Sequence, residues 1–172
     1  MHRYLELIAH DGPDAWPTAR LPALHAAMQQ ALRAQGLTEA QASAATTEVQ
    51  RHLHNTLTSP EGRWLLAPLP QAASEYALAS AAAEGSASDT SGTSGIKLHV
   101  LDRCFVYQGT RWIVDYKTAD PDSADPGAWR AQLQRYRALF DDGLPVQLAL
   151  FFTHSGSLLR LADEAPAASA RP

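Results

Sequence analysis

The chain has 172 residues, 45% hydrophobic and 19% charged, a length and balance that suit one soluble domain with a single sizeable core. No apolar run is long enough to span a bilayer, and Met1-His2-Arg3-Tyr4-Leu5-Glu6 lacks the apolar stretch of a secretion signal. A single cysteine, Cys104, excludes an intrachain disulfide and points to the cytoplasm, while a net charge of −4 argues against a protein that coats polyanions. It does not argue against clustered carboxylates that await metal ions.

Residues 2 to 10 read as a helix with Tyr4, Leu5 and Ile8 on one side, ended by Asp11-Gly12-Pro13-Asp14. Residues 21 to 35 and 38 to 57 carry helical spacing, and Thr38 with Gln41 forms a capping box for the second helix. Ser59-Pro60-Glu61-Gly62 reads as a turn and Trp64-Leu65-Leu66 as a short apolar anchor. Glu75 to Leu78 is a first strand, and residues 80–95, almost all small or acidic, read as a flexible surface loop. Strands are expected over Ile96 to Tyr107 and Arg111 to Lys117, a helix over Trp129 to Phe140, and a last β-type run over Pro145 to Phe152. Residues 162–172 read as a disordered tail, which leaves one domain over 1–161. Helices, then strands, then a helix and a strand imply a mixed α/β or α+β domain, and no internal repeat is present.

The chemistry concentrates between Val100 and Lys117. Gln108-Gly109 can serve as a two-residue hairpin turn, which pairs Tyr107 with Thr110 and sets Asp102 opposite Asp115. Opposed side chains share a face with their bases about 5 Å apart, and Lys117, two residues beyond Asp115, projects from that face too. Two facing carboxylates repel unless a cation sits between them. Ile96, Leu98 and Val100 are expected on the face of Asp102, and Ile113 on that of Asp115, so the polar trio interrupts an apolar surface. Oxygen ligands of this kind suit Mg²⁺ or Mn²⁺ rather than Zn²⁺. Such an ion lowers the pKa of a bound water and polarises a phosphoryl oxygen, with the lysine orienting the water or stabilising the growing charge. The bland alternative is a solvated hairpin whose Asp115 and Lys117 form a surface ion pair.

Trp112-Ile113-Val114-Asp115-Tyr116-Lys117-Thr118 resembles the D-Y-K-T core of RecB-like nucleases of the PD-(D/E)XK superfamily, found at the C-terminus of exonuclease V β-type and UvrD-like helicases. Leu101-Asp102-Arg103 resembles the preceding I-D-R element, Gln132-Leu133-Gln134-Arg135-Tyr136 the Q-x-x-x-Y helix, and Met1-His2-Arg3-Tyr4-Leu5-Glu6 the opening V-H-x-x-L-E helix. The four occur in the family's order. The resemblance implies a restriction-endonuclease-like core: a small mixed central β-sheet flanked by helices, after an N-terminal helical segment. It implies a Mg²⁺- or Mn²⁺-dependent deoxyribonuclease, the exonuclease module of a helicase–nuclease for double-strand-break repair and recombination. Asp102, Asp115, His2 and the carbonyl of Tyr116 would hold the metal, with Lys117 catalytic. Gln132 and Tyr136 would brace the site or touch DNA, and Glu75 matches an acidic position on the first strand.

The implied partners are DNA, the helicase portion of the same or a longer polypeptide, and a second helicase–nuclease subunit. In that resemblance a large ATP-binding portion precedes the opening helix, and no Gly-x-x-x-x-Gly-Lys-Ser/Thr loop exists here. A C-terminal fragment, a standalone remnant or a misassigned start is therefore expected, with a fraying helix around His2. Each residue also has a plainer reading: a solvated His2, a surface Glu75, and a Tyr136 that continues the apolar stripe of Trp129, Leu133 and Phe140. His52 and His54, two apart on a helix, do not read as ligands, and Cys104 reads as buried packing. The rival functions are a catalytically silent member of the same fold, guiding DNA or docking a protein, and a helical interaction module built on residues 21 to 57.

Overall fold

The computed structural model describes residues 1–81, 96–121 and 126–162. Helix α1 (His2–Asp11) is followed by three one-turn 3₁₀ helices at Pro13–Ala15, Thr18–Arg20 and Pro22–Leu24, then α2 (His25–Ala34), α3 (Glu39–Thr58) and α4 (Pro60–Leu66). The sheet comprises β1 (Ala73–Ala81), β2 (Ile96–Tyr107), β3 (Thr110–Lys117), β4 (Val146–Phe152) and β5 (Ser157–Leu161), with α5 (Pro126–Arg137) crossing between β3 and β4. The strand order is β1-β2-β3-β4-β5. Only β3 and β4 run parallel, as a connection through a helix allows. This is the expected mixed α/β arrangement, a small mixed sheet flanked by helices.

Two apolar cores form, one on each face of the sheet. Leu5 and Ile8 of α1, Leu53 and Leu57 of α3, and Leu65 and Leu66 of α4 cover Phe105, Trp112, Val114, Tyr116 and Phe151. On the other face, Leu133 and Tyr136 of α5 cover Cys104, Ile113, Leu148, Leu150 and Phe152. The central strands are thus covered on both sides, which is why β3 is buried without a break from Arg111 to Tyr116.

The capping box at Thr38 is present. Ser59-Pro60-Glu61-Gly62, expected as a turn, instead opens α4: the Ser59 hydroxyl accepts from the Gly62 N–H, and Pro60 takes the first helical position. A Cβ at Gly62 would lie 2.1 Å from the Thr56 carbonyl, so only glycine lets α4 turn this tightly off α3. Gln108 and Gly109 both have positive φ, 51° and 73°, the backbone of a type I′ hairpin turn. The β2–β3 register runs from Tyr107↔Thr110 to Arg103↔Val114, as expected.

Several boundaries differ from expectation. Residues 80 and 81 belong to β1, and the rest of the stretch expected as a loop lies outside the described residues, as do residues 163–172 of the expected tail. Helix α5 ends at Arg137, and Phe140 packs beside the core from beyond the helix. Strand β5 has no counterpart among the expected elements: it is five residues long and follows β4 after a four-residue reversal, 153–156, closed by Gly156 at φ 72°. At the start of α1 the Met1 carbonyl accepts from Tyr4 and Leu5, and Leu5 and Ile8 are wholly buried.

Candidate active site

The site begins with an irregularity shared by β1 and β2. Their register is constant from Ala73↔Cys104 to Ala81↔Ile96, with Glu75 and Asp102 the one opposed pair left out of the ladder. Ala73 and Cys104 on one side of that gap, and Leu78 and Leu101 on the other, all pack on the α5 face. An odd step of five residues in β1, and of three in β2, would put such side chains on opposite faces of a regular strand. Both strands therefore switch faces across Glu75 and Asp102, and Glu75 adopts a left-handed φ of 48°, uncommon outside glycine. One consequence corrects a sequence expectation. Leu98 and Val100 do not share a buried face with Asp102; they are 65% and 43% exposed, and the apolar surface around the acids comes from elsewhere.

The irregularity turns Glu75 and Asp102 toward α1. His2 Nδ1 lies 3.6 Å from Glu75 Oε1 and 3.7 Å from Asp102 Oδ1. One ligand atom from each of the three lies within 4.8 Å of the others. The other oxygen of Asp102, Oδ2, accepts the backbone N–H of Tyr116 at 2.7 Å, which ties the acid to β3 one residue past the expected partner, Asp115. Asp115 is buried, and its Oδ2 lies 2.6 Å from Lys117 Nζ. The same ammonium stands 4.8 Å over the Trp129 ring of α5.

Burial first, and the charge of Asp115 second, push the Asp102 carboxyl up to about 6, although the Tyr116 N–H and His2 favour its ionised form. A half-buried acid held against a second acid gains most from a cation, and one nitrogen with several carboxylate oxygens is a donor set that accepts a divalent ion. The residues present thus fit a metal. Beside them a cavity of about 590 Å³ is lined by His2, Arg3, Glu6, Leu7, His10 and Glu75.

The structure brings together His2, Glu75, Asp102, Asp115, Tyr116 and Lys117. Gln132 and Tyr136 pair with each other, Gln132 Nε2 donating to the Tyr136 hydroxyl at 2.8 Å, while the Tyr136 ring is buried in the α5-side core. One supporting residue escaped sequence reasoning. Arg103, next to Asp102, is buried and donates to the Leu65 carbonyl at 3.0 Å, the Ala67 carbonyl at 3.0 Å and the Ser74 hydroxyl at 3.1 Å. A guanidinium at the C-terminal end of α4 is favoured by the helix dipole, and here it locks β2 to the helical layer. The available signal was the arginine of the I-D-R-like element, set directly before the apolar run Cys104-Phe105-Val106.

A five-stranded mixed sheet flanked by helices, with acids gathered where β1 and β2 lose their regularity beside β3, is a restriction-endonuclease-like fold. The chain belongs to the PD-(D/E)XK nuclease superfamily, whose family model matches residues 22–169. Members of that superfamily generally use divalent metals. The matched stretch holds every candidate residue but His2, which α1 supplies from outside it. No curated protein matches the chain.

Proposed function

We propose that this chain is a Mg²⁺- or Mn²⁺-dependent deoxyribonuclease that hydrolyses the phosphodiester bonds of DNA. The observation that carries the reading is the convergence of His2, Glu75 and Asp102 beside the Asp115–Lys117 pair. Asp102 and Asp115, with His2 and the Tyr116 carbonyl, are the groups that would hold the cation, and Glu75 adds an oxygen next to Asp102. A divalent ion bound there supplies Lewis-acid polarisation of a phosphoryl oxygen and a more acidic water. Lys117 supplies the ammonium that stabilises negative charge growing on the phosphate, and Asp115 and Trp129 hold it in place. Gln132 and Tyr136, bonded to each other on α5, would brace the site or touch the DNA backbone.

In this reading residues 1–161 act as one nuclease domain. Its resemblance to RecB-like nucleases supports a place as the C-terminal exonuclease module of a cytoplasmic helicase–nuclease in double-strand-break repair, partnered by its helicase portion and a second subunit. Among the described residues no helix is long and apolar enough to cross a membrane. One observation favours a second reading. Asp115 and Lys117 already neutralise each other at 2.6 Å, as expected of a silent member of the fold that binds DNA or docks a protein.

Cleavage of end-labelled linear DNA with Mg²⁺ or Mn²⁺, comparing the wild type with Asp115→Ala and Lys117→Ala, separates the two. Metal-dependent cutting lost in both variants supports the nuclease. No cutting by folded wild-type protein that still binds Mn²⁺ in a calorimetric titration supports the silent member. No metal binding at all, or binding unchanged in Asp102→Asn, removes the site.

A further inference from the structure

The end of β3 is tied to the helical layer by a directed chain of hydrogen bonds that the proposed chemistry does not use. Lys117 is the last residue of β3, and its carbonyl accepts two bonds from Thr153, from the N–H at 2.8 Å and from the hydroxyl at 3.1 Å. The Thr153 hydroxyl has one proton and spends it on Lys117, so it accepts from His52 Nδ1, 2.8 Å away. His52 therefore carries its proton on Nδ1, which leaves Nε2 as an acceptor 3.1 Å from Arg51 Nη2, whose two protons are shared among it, Glu48 at 2.6 Å and His154 Nδ1 at 3.1 Å. Each group acts in one sense only, from Arg51 through His52 and Thr153 to the Lys117 carbonyl. Thr153 is wholly buried and His52 nearly so. Burial, then the charge of Arg51, holds the imidazole below its ordinary pKa and favours the neutral form that the chain requires; His154 acts in the same sense, and Glu48, 3.5 Å from Nε2, opposes them.

The grip of α3 on this turn extends further. Asn55 donates to the His154 carbonyl, and Gly156 comes so close to α3 that a Cβ would lie 2.7 Å from the Asn55 carbonyl. A residue at the end of a strand ordinarily frays, and lysine reaches its target on a flexible four-carbon stem. Here the backbone of Lys117 is pinned by two bonds, and from it Nζ meets Asp115 and the Trp129 face.

We infer that His52 and Thr153 are positioning residues that set the backbone of Lys117 and thereby place its ammonium in the site. The inference rests on the nuclease reading for the role of Lys117, and on the geometry alone for its placement.

Three variants of the full chain test it. Thr153→Val keeps the volume and removes the hydroxyl, Thr153→Ser keeps the hydroxyl, and His52→Phe keeps a ring without its donor. Two quantities are measured: steady-state cleavage of end-labelled DNA with Mn²⁺, and the metal-free rate of Lys117 acetylation, followed by peptide mass spectrometry. Thr153→Val and His52→Phe should lower kcat about tenfold with KM nearly unchanged, the mark of a misplaced group rather than lost binding. Both should acetylate Lys117 about fivefold faster, the equivalent of one hydrogen bond. Thr153→Ser should restore both quantities, and combining Thr153→Val with His52→Phe should add little to either alone. The inference is overturned if Thr153→Ser is as impaired as Thr153→Val, or if folded Thr153→Val and His52→Phe leave acetylation unchanged. A wild type that does not cut removes the nuclease reading, while the acetylation rates still decide whether Lys117 is positioned this way.

Discussion

At Asp102 two demands conflict. The carboxyl accepts a backbone N–H from Tyr116, which favours its charge, yet burial and the neighbouring Asp115 outweigh that bond and raise it from its ordinary 3.8 to about 6. Between pH 3.8 and about 6 the folded state therefore holds a proton that the unfolded chain releases. Stability from this group is complete below pH 3.8 and declines as pH rises through about 6, a loss of about 3 kcal/mol at 1.36 kcal/mol per pKa unit. In metal-free buffer Asp102→Asn should be more stable than the wild type at pH 7, with the difference shrinking toward pH 4. Urea unfolding across pH 4 to 8 with a chelator measures this, and parallel curves would contradict it. Magnesium at pH 7 should narrow the gap by stabilising the wild type alone.

The elements are joined by a few polar and steric details as much as by apolar area. Arg103 satisfies two carbonyls at the end of α4 and thereby fixes the strand that carries Asp102. Replacing it with alanine strands those carbonyls in the interior and should cost about 3 kcal/mol. Lysine should not rescue it, since one ammonium cannot reproduce a fork that reaches Leu65, Ala67 and Ser74. Differential unfolding of the two variants decides, and a lysine variant as stable as the wild type would refute the role. Gly62→Ala sets a Cβ 2.1 Å from the Thr56 backbone carbonyl, a clash that α3 and α4 relieve only by shifting apart. It should destabilise by about 1 to 3 kcal/mol, the range for overpacking, read as a lower urea midpoint with an unchanged slope.

On the scale of the molecule, the site draws on both layers at once. The helical layer delivers His2 from α1 and the grip of α3 on the β4–β5 turn, and the α5 layer delivers Trp129 over Lys117. A ligand bound there links elements far apart in sequence and should stabilise the whole fold by mass action. Mn²⁺ at one hundred times its dissociation constant should therefore raise the unfolding free energy of the wild type by about 2.7 kcal/mol. Glu75→Gln and His2→Ala should each reduce that gain, which thermal unfolding with and without the ion checks. An equal gain in Asp102→Asn would place the ion elsewhere.

Much of this arrangement was legible in the chain. The period of apolar residues marked the helices, Gln108-Gly109 marked the turn, and the pairing rule of a hairpin then set the β2–β3 register. Those signals are local, because a turn and its flanking strands are specified by neighbours. The D-Y-K run and its ordered companions pointed to the family for the same reason, as short contiguous motifs. What lay beyond reach depends on contacts between distant segments. The face switch at Glu75 and Asp102 breaks the two-residue period that a sequence reading assumes, so Leu98 and Val100 stand exposed where that period places them on the buried face. The pairing of His52 with Thr153, 101 residues apart, leaves no periodic trace at all. The sequence by itself determined α1, α2, α3, α5 and the hairpin, and it singled out the acids and the lysine as candidates. Only the tertiary structure decided how His2 and Glu75 reach Asp102 and what holds Lys117, because those placements follow from how α1 and α3 dock on the sheet.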